Sequence, residues 1–378
     1  MTQYKWKGNH KINTGIINSR LEKLRALMSK RDLEVFVLMV DERANSENCH
    51  YISGFRGSSA ALIITYDEAH LITDGRYTTQ AKQESPFEIT IQSEVPLLKY
   101  IADTVKEVGW RHIGFEAKKV SHSDYYDYFE PVGGYWYDAS DLILKLRRTK
   151  DAHEADMIRQ AALIGRKAYG ETLKLAHAGM TETEFDIKLM ERIKLNGAEK
   201  GWAHDDFIVA SGARSAMCHA PATLKKFAEG DTVTVDYGAM VEGYMSDITR
   251  NFALGHISDK AREINAVLLK AHHDAAAALR PGIPGRDVDA VARGVIEEAG
   301  YGKFFLHGLG HGLGLEVHEA PRLSRTSNDI LQAGDVVTIE PGIYIEGWGG
   351  LRIEDDYLIT PDGAECLTVN DNQSIEII

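Results

Sequence analysis

Residues 334–356 read GDVVTIEPGIYIEGWGGLRIEDD, and residues 230–250 read GDTVTVDYGAMVEGYMSDITR. Laid together, Gly230 meets Gly334, Asp231 meets Asp335, Asp236 meets Glu340, Gly238 meets Gly342, Glu242 meets Glu346 and Gly243 meets Gly347. The second copy then carries three extra residues, after which Asp247 matches Glu354. Each copy reads as a hairpin, with an apolar β-branched run, a Gly-containing turn and a return strand. Each places one carboxylate on the outgoing strand and one on the return strand. An acid inside VTVDYG or VTIEPG is expected to be buried, and burial of a carboxylate is expensive unless it is paired or bound to a metal. Two such hairpins facing each other would bring four carboxylates together. The expectation is a metal site built by internal duplication.

The duplication reaches beyond the hairpins. Residues 152–176 read as a long amphipathic helix, and GMTETEFD at 179–186 starts another, with Thr181 and Glu184 as a capping box. The same succession returns as a helix over 259–279 and GIPGRDVD at 282–289. The offset is 103 residues at the helices and 104 at the hairpins. Two copies are too few for a solenoid, so a single pseudo-symmetric domain is expected. Upstream, Leu21, Leu24, Leu27 and Met28 have helical spacing, and VFVLMV follows as a strand. The runs ALIIT and AHLIT, joined by Tyr66, Asp67 and Glu68, read as two further strands, and the polar residues 1–14 as loose chain. No GxxxxGK[ST] loop occurs, and the glycines of HGLGHGLG miss the GxGxxG spacing. The expected fold class is α/β (α+β), with an α/β domain over residues 1–145 and a pseudo-symmetric domain over 146–378.

Composition narrows the function. A chain of 378 residues is long for one core and suggests two domains. Its net charge of −13 argues against a nucleic-acid or anionic-membrane partner, either of which needs a basic face. There is no long uncharged apolar run and no signal-peptide pattern. Cys49, Cys218 and Cys366 are scattered and odd in number, which fits a reducing cytoplasm better than a disulfide framework. The absence of CxxC removes zinc-ribbon readings.

Between the hairpins lies HGLGHGLGLEVHE at 307–319. Its two leading histidines are four apart, as on a helical face, but Gly308, Gly310, Gly312 and Gly314 oppose a helix. A loop or irregular strand approaching the site closely is expected. Four carboxylates with an imidazole form a hard donor set that suits Mn²⁺ or another hard or borderline divalent ion. Carboxylates can bridge, so two ions sharing a hydroxide are possible on this set. Such a pair would lower the pKa of water and polarise a carbonyl.

These motifs, in this order and spacing, resemble the pita-bread metallopeptidases over residues 146–360. The resemblance is specifically to the branch containing Xaa-Pro aminopeptidase (aminopeptidase P) and prolidase. The segment YISGFRGSSAALIIT…LITDGRY is similar to the creatinase-like N-terminal domain of that branch. Methionyl aminopeptidases share the five-ligand set but lack that domain. The resemblance implies two divalent metal ions per chain, manganese first, with cobalt or zinc as alternatives. Asp236 would chelate one metal, His311 with Glu340 the other, and Asp247 and Glu354 would bridge them. Glu340 would also be the general base and acid. His219, His307 and His318 would line the cleft and bind substrate, with Tyr344 and Arg352 beside it. The implied activity is hydrolysis of the Xaa-Pro bond at the N-terminus of a small peptide, in a cytoplasmic homodimer. The alternatives are an Xaa-Pro dipeptidase, or a metal-dependent enzyme acting on a small non-peptide molecule. One departure bears on the substrate. The family often has a proline before the first cleft histidine and an HxxP pattern after it, whereas this chain reads SAMCHAPAT.

Simpler readings exist for single residues. Asp247 could pair with Arg250, and Arg352 with Asp355 or Asp356. Cys218 could be a small buried hydrophobe. The pair His272–His273 is expected at the surface.

Overall fold

The computed structural model describes residues 14–42, 44–202, 207–368 and 373–378. The chain divides into two compact units, one ending at Arg147 and one running from Arg148 to Ile378. The polar segment 1–14 lies outside the described residues except for Thr14, which opens the helix Thr14–Ser29.

The first unit is built on a six-stranded sheet. Its strands are β1 (Val35–Val40), β2 (Ala60–Ile64), β3 (Ala69–Thr73), β4 (Glu88–Ile91), β5 (His112–Phe115) and β6 (Tyr135–Asp138), in the order β4-β3-β2-β1-β5-β6. β2 and β3 form the hairpin expected from ALIIT and AHLIT, with Leu62 opposite Leu71. β1 runs parallel to β5, and β5 to β6. The helix Leu97–Val108 packs Ile101 and Val105 against Val35, Ile63, Ile113 and Phe115. Unbroken β-branched runs form the central strands because both faces are covered.

The second unit repeats one plan. The helices Ala152–Leu173 and Glu182–Leu195 precede strands β7 (Ile208–Ser211), β8 (Thr232–Tyr237), β9 (Met240–Val241), β10 (Tyr244–Met245) and β11 (Ile248–Ala253). The helices Asp259–Ala278 and Gly285–Glu298 precede β12 (Gly310–Gly312), β13 (Glu319–Leu323), β14 (Val336–Ile339), β15 (Gly342–Ile345), β16 (Gly349–Arg352), β17 (Asp355–Thr360), β18 (Gly363–Cys366) and β19 (Glu376–Ile377). The main sheets run β19-β11-β8-β7 and β13-β12-β14-β17-β18. Thr181 accepts from the Glu184 amide while the Glu184 side chain accepts from the Thr181 amide, as its sequence spacing implied. Asp151 and Glu154 form a second such box at the preceding helix.

One expectation fails here. His273 is exposed, but His272 is fully buried, with Nε2 3.2 Å from Asp355. The helix Asp259–Ala278 turns Leu268, Ala271, His272 and Ala275 inward together, so the side of the helix decides the burial, not the polarity of the dipeptide.

Candidate metal centre

The two hairpins carry the acidic residues at matching places. β8 pairs with β11, setting Asp236 opposite Thr249, and β14 pairs with β17, setting Ile339 opposite Asp355. Asp247 stands one residue before β11, Glu340 one after β14 and Glu354 one before β17. Each hairpin has a smaller ribbon at its tip. β9–β10 turns through Glu242 and Gly243, both with positive φ, and β15–β16 turns through Gly347 at φ 78°. The extra residues of the second copy lengthen that ribbon and bring Arg352 opposite Gly342, where the first copy has Met245. A backbone bridge between Thr249 and Glu354 joins the two return strands, with the Glu354 amide donating to the Thr249 carbonyl at 3.3 Å.

His311 enters from β12, an irregular strand as the glycines implied. A Cβ on Gly310 would collide with the Thr338 carbonyl, so only glycine allows the two backbones to approach this closely. Asp247, His311 and Glu354 are buried, and each offers a ligand atom within 4.8 Å of the others. His311 Nε2 lies 3.3 Å from Glu340 Oε1 and 3.6 Å from Asp247 Oδ2. His311 Nδ1 faces its neighbour's carbonyl, Gly312 O, at 3.1 Å. A carbonyl only accepts, so the ring proton belongs on Nδ1 and the Nε2 lone pair faces the carboxylates. Burial, and then the adjacent His318 ring, pull the His311 pKa down to about 3, which keeps it neutral. Lone pairs facing lone pairs in a buried site repel, and a cation or a proton between them relieves the repulsion.

The carboxylates give the same indication. Burial pushes Glu340 up to about 8, with Arg352 opposing and Asp236 reinforcing the rise. Asp247 and Glu354 are raised well above the carboxylate range, first by burial and then by neighbouring carboxylates. Oδ1 of Asp236 and Oδ1 of Asp247 are buried without a hydrogen-bond partner. Hard oxygen donors, a neutral imidazole and orphaned carboxylate oxygens together fit a divalent cation.

Asp236 stands beside this cluster, its Oδ2 taking a hydrogen bond from Arg352 Nη2 at 2.6 Å. Arg352 Nη1 donates to Tyr344 Oη at 2.8 Å and to the Cys218 carbonyl at 3.2 Å. Tyr344 Oη lies 3.0 Å from His307 Nε2, while His307 Nδ1 faces Gly308 O at 2.7 Å. Burial and then the Arg352 charge pull His307 down to about 4, so its Nε2 is a neutral acceptor for the tyrosine proton. His219 is exposed. His318 is also exposed, its ring 4.3 Å from that of His311. The simpler pairings are not the ones found. Arg250 bonds Asp355 Oδ1 at 2.6 Å, and Arg352 is held by Asp236. Cys218 is only partly buried.

Sequence reasoning missed the residues that hold the candidate ligands. Thr338 Oγ1 accepts from the His311 amide at 3.1 Å and reaches Glu340 Oε1 at 3.4 Å. Thr249 contacts Glu354, and Asp356 accepts from the Asp247 amide. Only their places two residues from matched carboxylates could have marked them.

A buried carboxylate–imidazole centre on duplicated hairpins, in a chain that also carries a separate α/β unit, is the framework of a metal-dependent hydrolase. Residues 156–361 match the model of metallopeptidase family M24, and residues 20–149 match the creatinase/prolidase N-terminal domain. The chain belongs to metallopeptidase family M24. It is 36% identical to an Xaa-Pro dipeptidase of Pyrococcus furiosus over 363 residues, spanning 94% of this chain and 99% of that protein. Among solved structures, an Xaa-Pro dipeptidase from Bacillus anthracis superposes with a TM-score of 0.88 at 37% identity, over 96% of this chain and 100% of that one. An X-Pro aminopeptidase from Thermotoga maritima gives 0.88 at 38% identity, over 95% and 99%. Among the described residues, no helix is long and apolar enough to cross a membrane.

Proposed function

We propose that the protein is a manganese-dependent exopeptidase that hydrolyses the bond preceding proline in short peptides. The carrying observation is the buried cluster of Asp247, His311 and Glu354, with Glu340 3.3 Å from His311. Asp236 would hold one ion, His311 and Glu340 the other, with Asp247 and Glu354 between them. Cobalt or zinc could occupy the same donor set. The bound ions would supply a water of lowered pKa and polarise the scissile carbonyl.

The chain's own residues supply the proton chemistry. Glu340, 3.3 Å from His311, would take a proton from the attacking water and return it to the leaving nitrogen. For a bond before proline that nitrogen leaves as a secondary amine and needs this proton. Arg352 aligns Asp236 and Tyr344, and Tyr344 in turn fixes the ring of His307. His219 and His318, exposed at the site, would bind substrate with His307. The proposed setting is a reducing cytoplasm, supported by three free cysteines. A homodimer is supported by the family resemblance alone.

The relatives carry both names, dipeptidase and aminopeptidase, and the former gives weight to an Xaa-Pro dipeptidase. Hydrolysis of Ala-Pro and Ala-Pro-Ala, by metal-stripped protein and then with added Mn²⁺, tests the reading. Metal-dependent cleavage of the tripeptide is the aminopeptidase result, and cleavage of the dipeptide alone is the prolidase result. Protein that holds two metals and cleaves neither would redirect the search to non-peptide substrates and the Cys218–Pro221 loop.

A further inference from the structure

The contacts around Thr249 cross repeatedly between the two hairpins. Asp236 belongs to the first, Arg352 to the second, Thr249 to the first and Glu354 to the second. Arg352 Nη2 donates to Asp236 Oδ2 at 2.6 Å, and Arg352 Nε donates to Thr249 Oγ1 at 2.9 Å. Thr249 Oγ1 lies 2.6 Å from Glu354 Oε2. With Glu354 ionised, as a metal ligand must be, the direction of each bond is fixed. A guanidinium only donates, so the threonine oxygen is the acceptor there, and its single proton goes to Glu354.

The backbone around this hydroxyl is held from both sides. Arg250 Nη1 donates to the Thr249 carbonyl at 3.0 Å and to the Glu354 carbonyl at 2.7 Å. Asn251 Nδ2 donates to the Arg352 carbonyl at 2.6 Å. Thr249 itself is fully buried. Its counterpart in the second copy, two residues beyond Glu354, is Asp356, and that side chain reaches back to accept from the Asp247 amide at 3.1 Å. The position two residues after each return-strand carboxylate therefore grips the opposite hairpin at its own carboxylate residue.

We infer that Thr249 is a positioning residue for the metal centre: its hydroxyl orients Glu354 and couples it, through Arg352, to Asp236, so that the two half-sites present their ligands together. This rests on the reading of these carboxylates as metal ligands. A hydroxyl that fixes one oxygen of Glu354 leaves the other oxygen and the remaining lone pair for a cation. Partners of this kind commonly change metal affinity about 10- to 100-fold when removed.

The test is titration of metal-free protein with Mn²⁺ by calorimetry, read beside the electron paramagnetic resonance spectrum of the loaded protein. Three variants are compared. Thr249→Val replaces the hydroxyl with a methyl group of similar size, Thr249→Ala removes the hydroxyl and a methyl, and Thr249→Ser keeps the hydroxyl alone. The expected result is Mn²⁺ affinity lowered about 10- to 100-fold in Thr249→Val and Thr249→Ala, with a changed spectrum. Thr249→Ser should stay within about threefold of the parent, below the about 10- to 100-fold that loss of the bond would give. If the valine variant does not fold, the serine and alanine pair decides. Parent-like affinity in the variants without a hydroxyl, or equal losses in serine and alanine, would overturn the inference. If the parent protein itself fails to bind Mn²⁺, the metal-site reading falls instead, so the two failures are distinct.

Discussion

Glu340 is the residue on which the proposed chemistry turns. In the metal-free site burial raises it to about 8, above carboxylates at the surface. Glu340→Gln keeps the shape and removes the titrating oxygen. It should lower kcat by about 10²- to 10⁴-fold, the usual contribution of general acid–base catalysis, while the circular dichroism spectrum stays that of the parent. An unchanged kcat would remove Glu340 from the proton path. At this scale the ligand candidates were legible in the sequence because duplication supplies an internal comparison. A lone aspartate says little, whereas Asp236 matched to Glu340 and Asp247 matched to Glu354 say that the acid itself is needed. The supporting hydroxyls of Thr249 and Thr338 were not legible, since threonine is also an ordinary strand residue. His272 misled because its burial depends on Asp355, a partner distant in sequence. Burial pushes Asp355 upward, but Arg250, His272 and Thr368 outweigh it and hold the carboxyl well below its usual range.

At the scale of elements, the loop between His311 and Glu319 is held from the start of the second unit. Lys150 Nζ bonds Glu319 Oε2 at 3.0 Å, with side chains only 1% and 6% exposed. Glu319 Oε1 accepts from the Glu316 amide at 3.1 Å and so closes the turn that presents His318. Lys150→Met should destabilise the second unit by about 3–5 kcal/mol, because it breaks a buried ion pair by removing one member. Adding Glu319→Gln should recover a large part of that loss. Urea unfolding of the single and double variants measures both, and strict additivity would show that the pair is not coupled. The hairpins and the paired helices could be read from alternation, caps and glycines, which are local signals. This clamp could not, because its partners lie far apart and each is unremarkable alone.

At the scale of the molecule, the two units respond to different conditions. In the first, Glu116 is buried against Asn45 and Asn48, and desolvation pushes it up to about 7 although both amides donate to it. The folded pKa lies above the ordinary value of 4.5, so the stabilisation is fully present below about pH 4.5 and is lost as the pH rises through about 7. The group should contribute up to about 3 kcal/mol across that window. Urea unfolding at pH 5 and pH 8, for the parent and for Glu116→Gln, checks the sign. The parent should lose more stability between the two than the variant does, and parallel behaviour would dismiss Glu116 as the source.

The crossing hairpins of the second unit carry another consequence. On the proposed assignment each half would contribute ligands, so a metal ion would have its full coordination only when both halves are folded and docked. The ion is then a thermodynamic ligand of the native state, worth about 2.7 kcal/mol at a free concentration one hundred times its Kd. Chelation should raise amide hydrogen exchange along β8, β11, β14 and β17 while leaving the sheet of the first unit protected. A chelator would act on this molecule as a denaturant of one half.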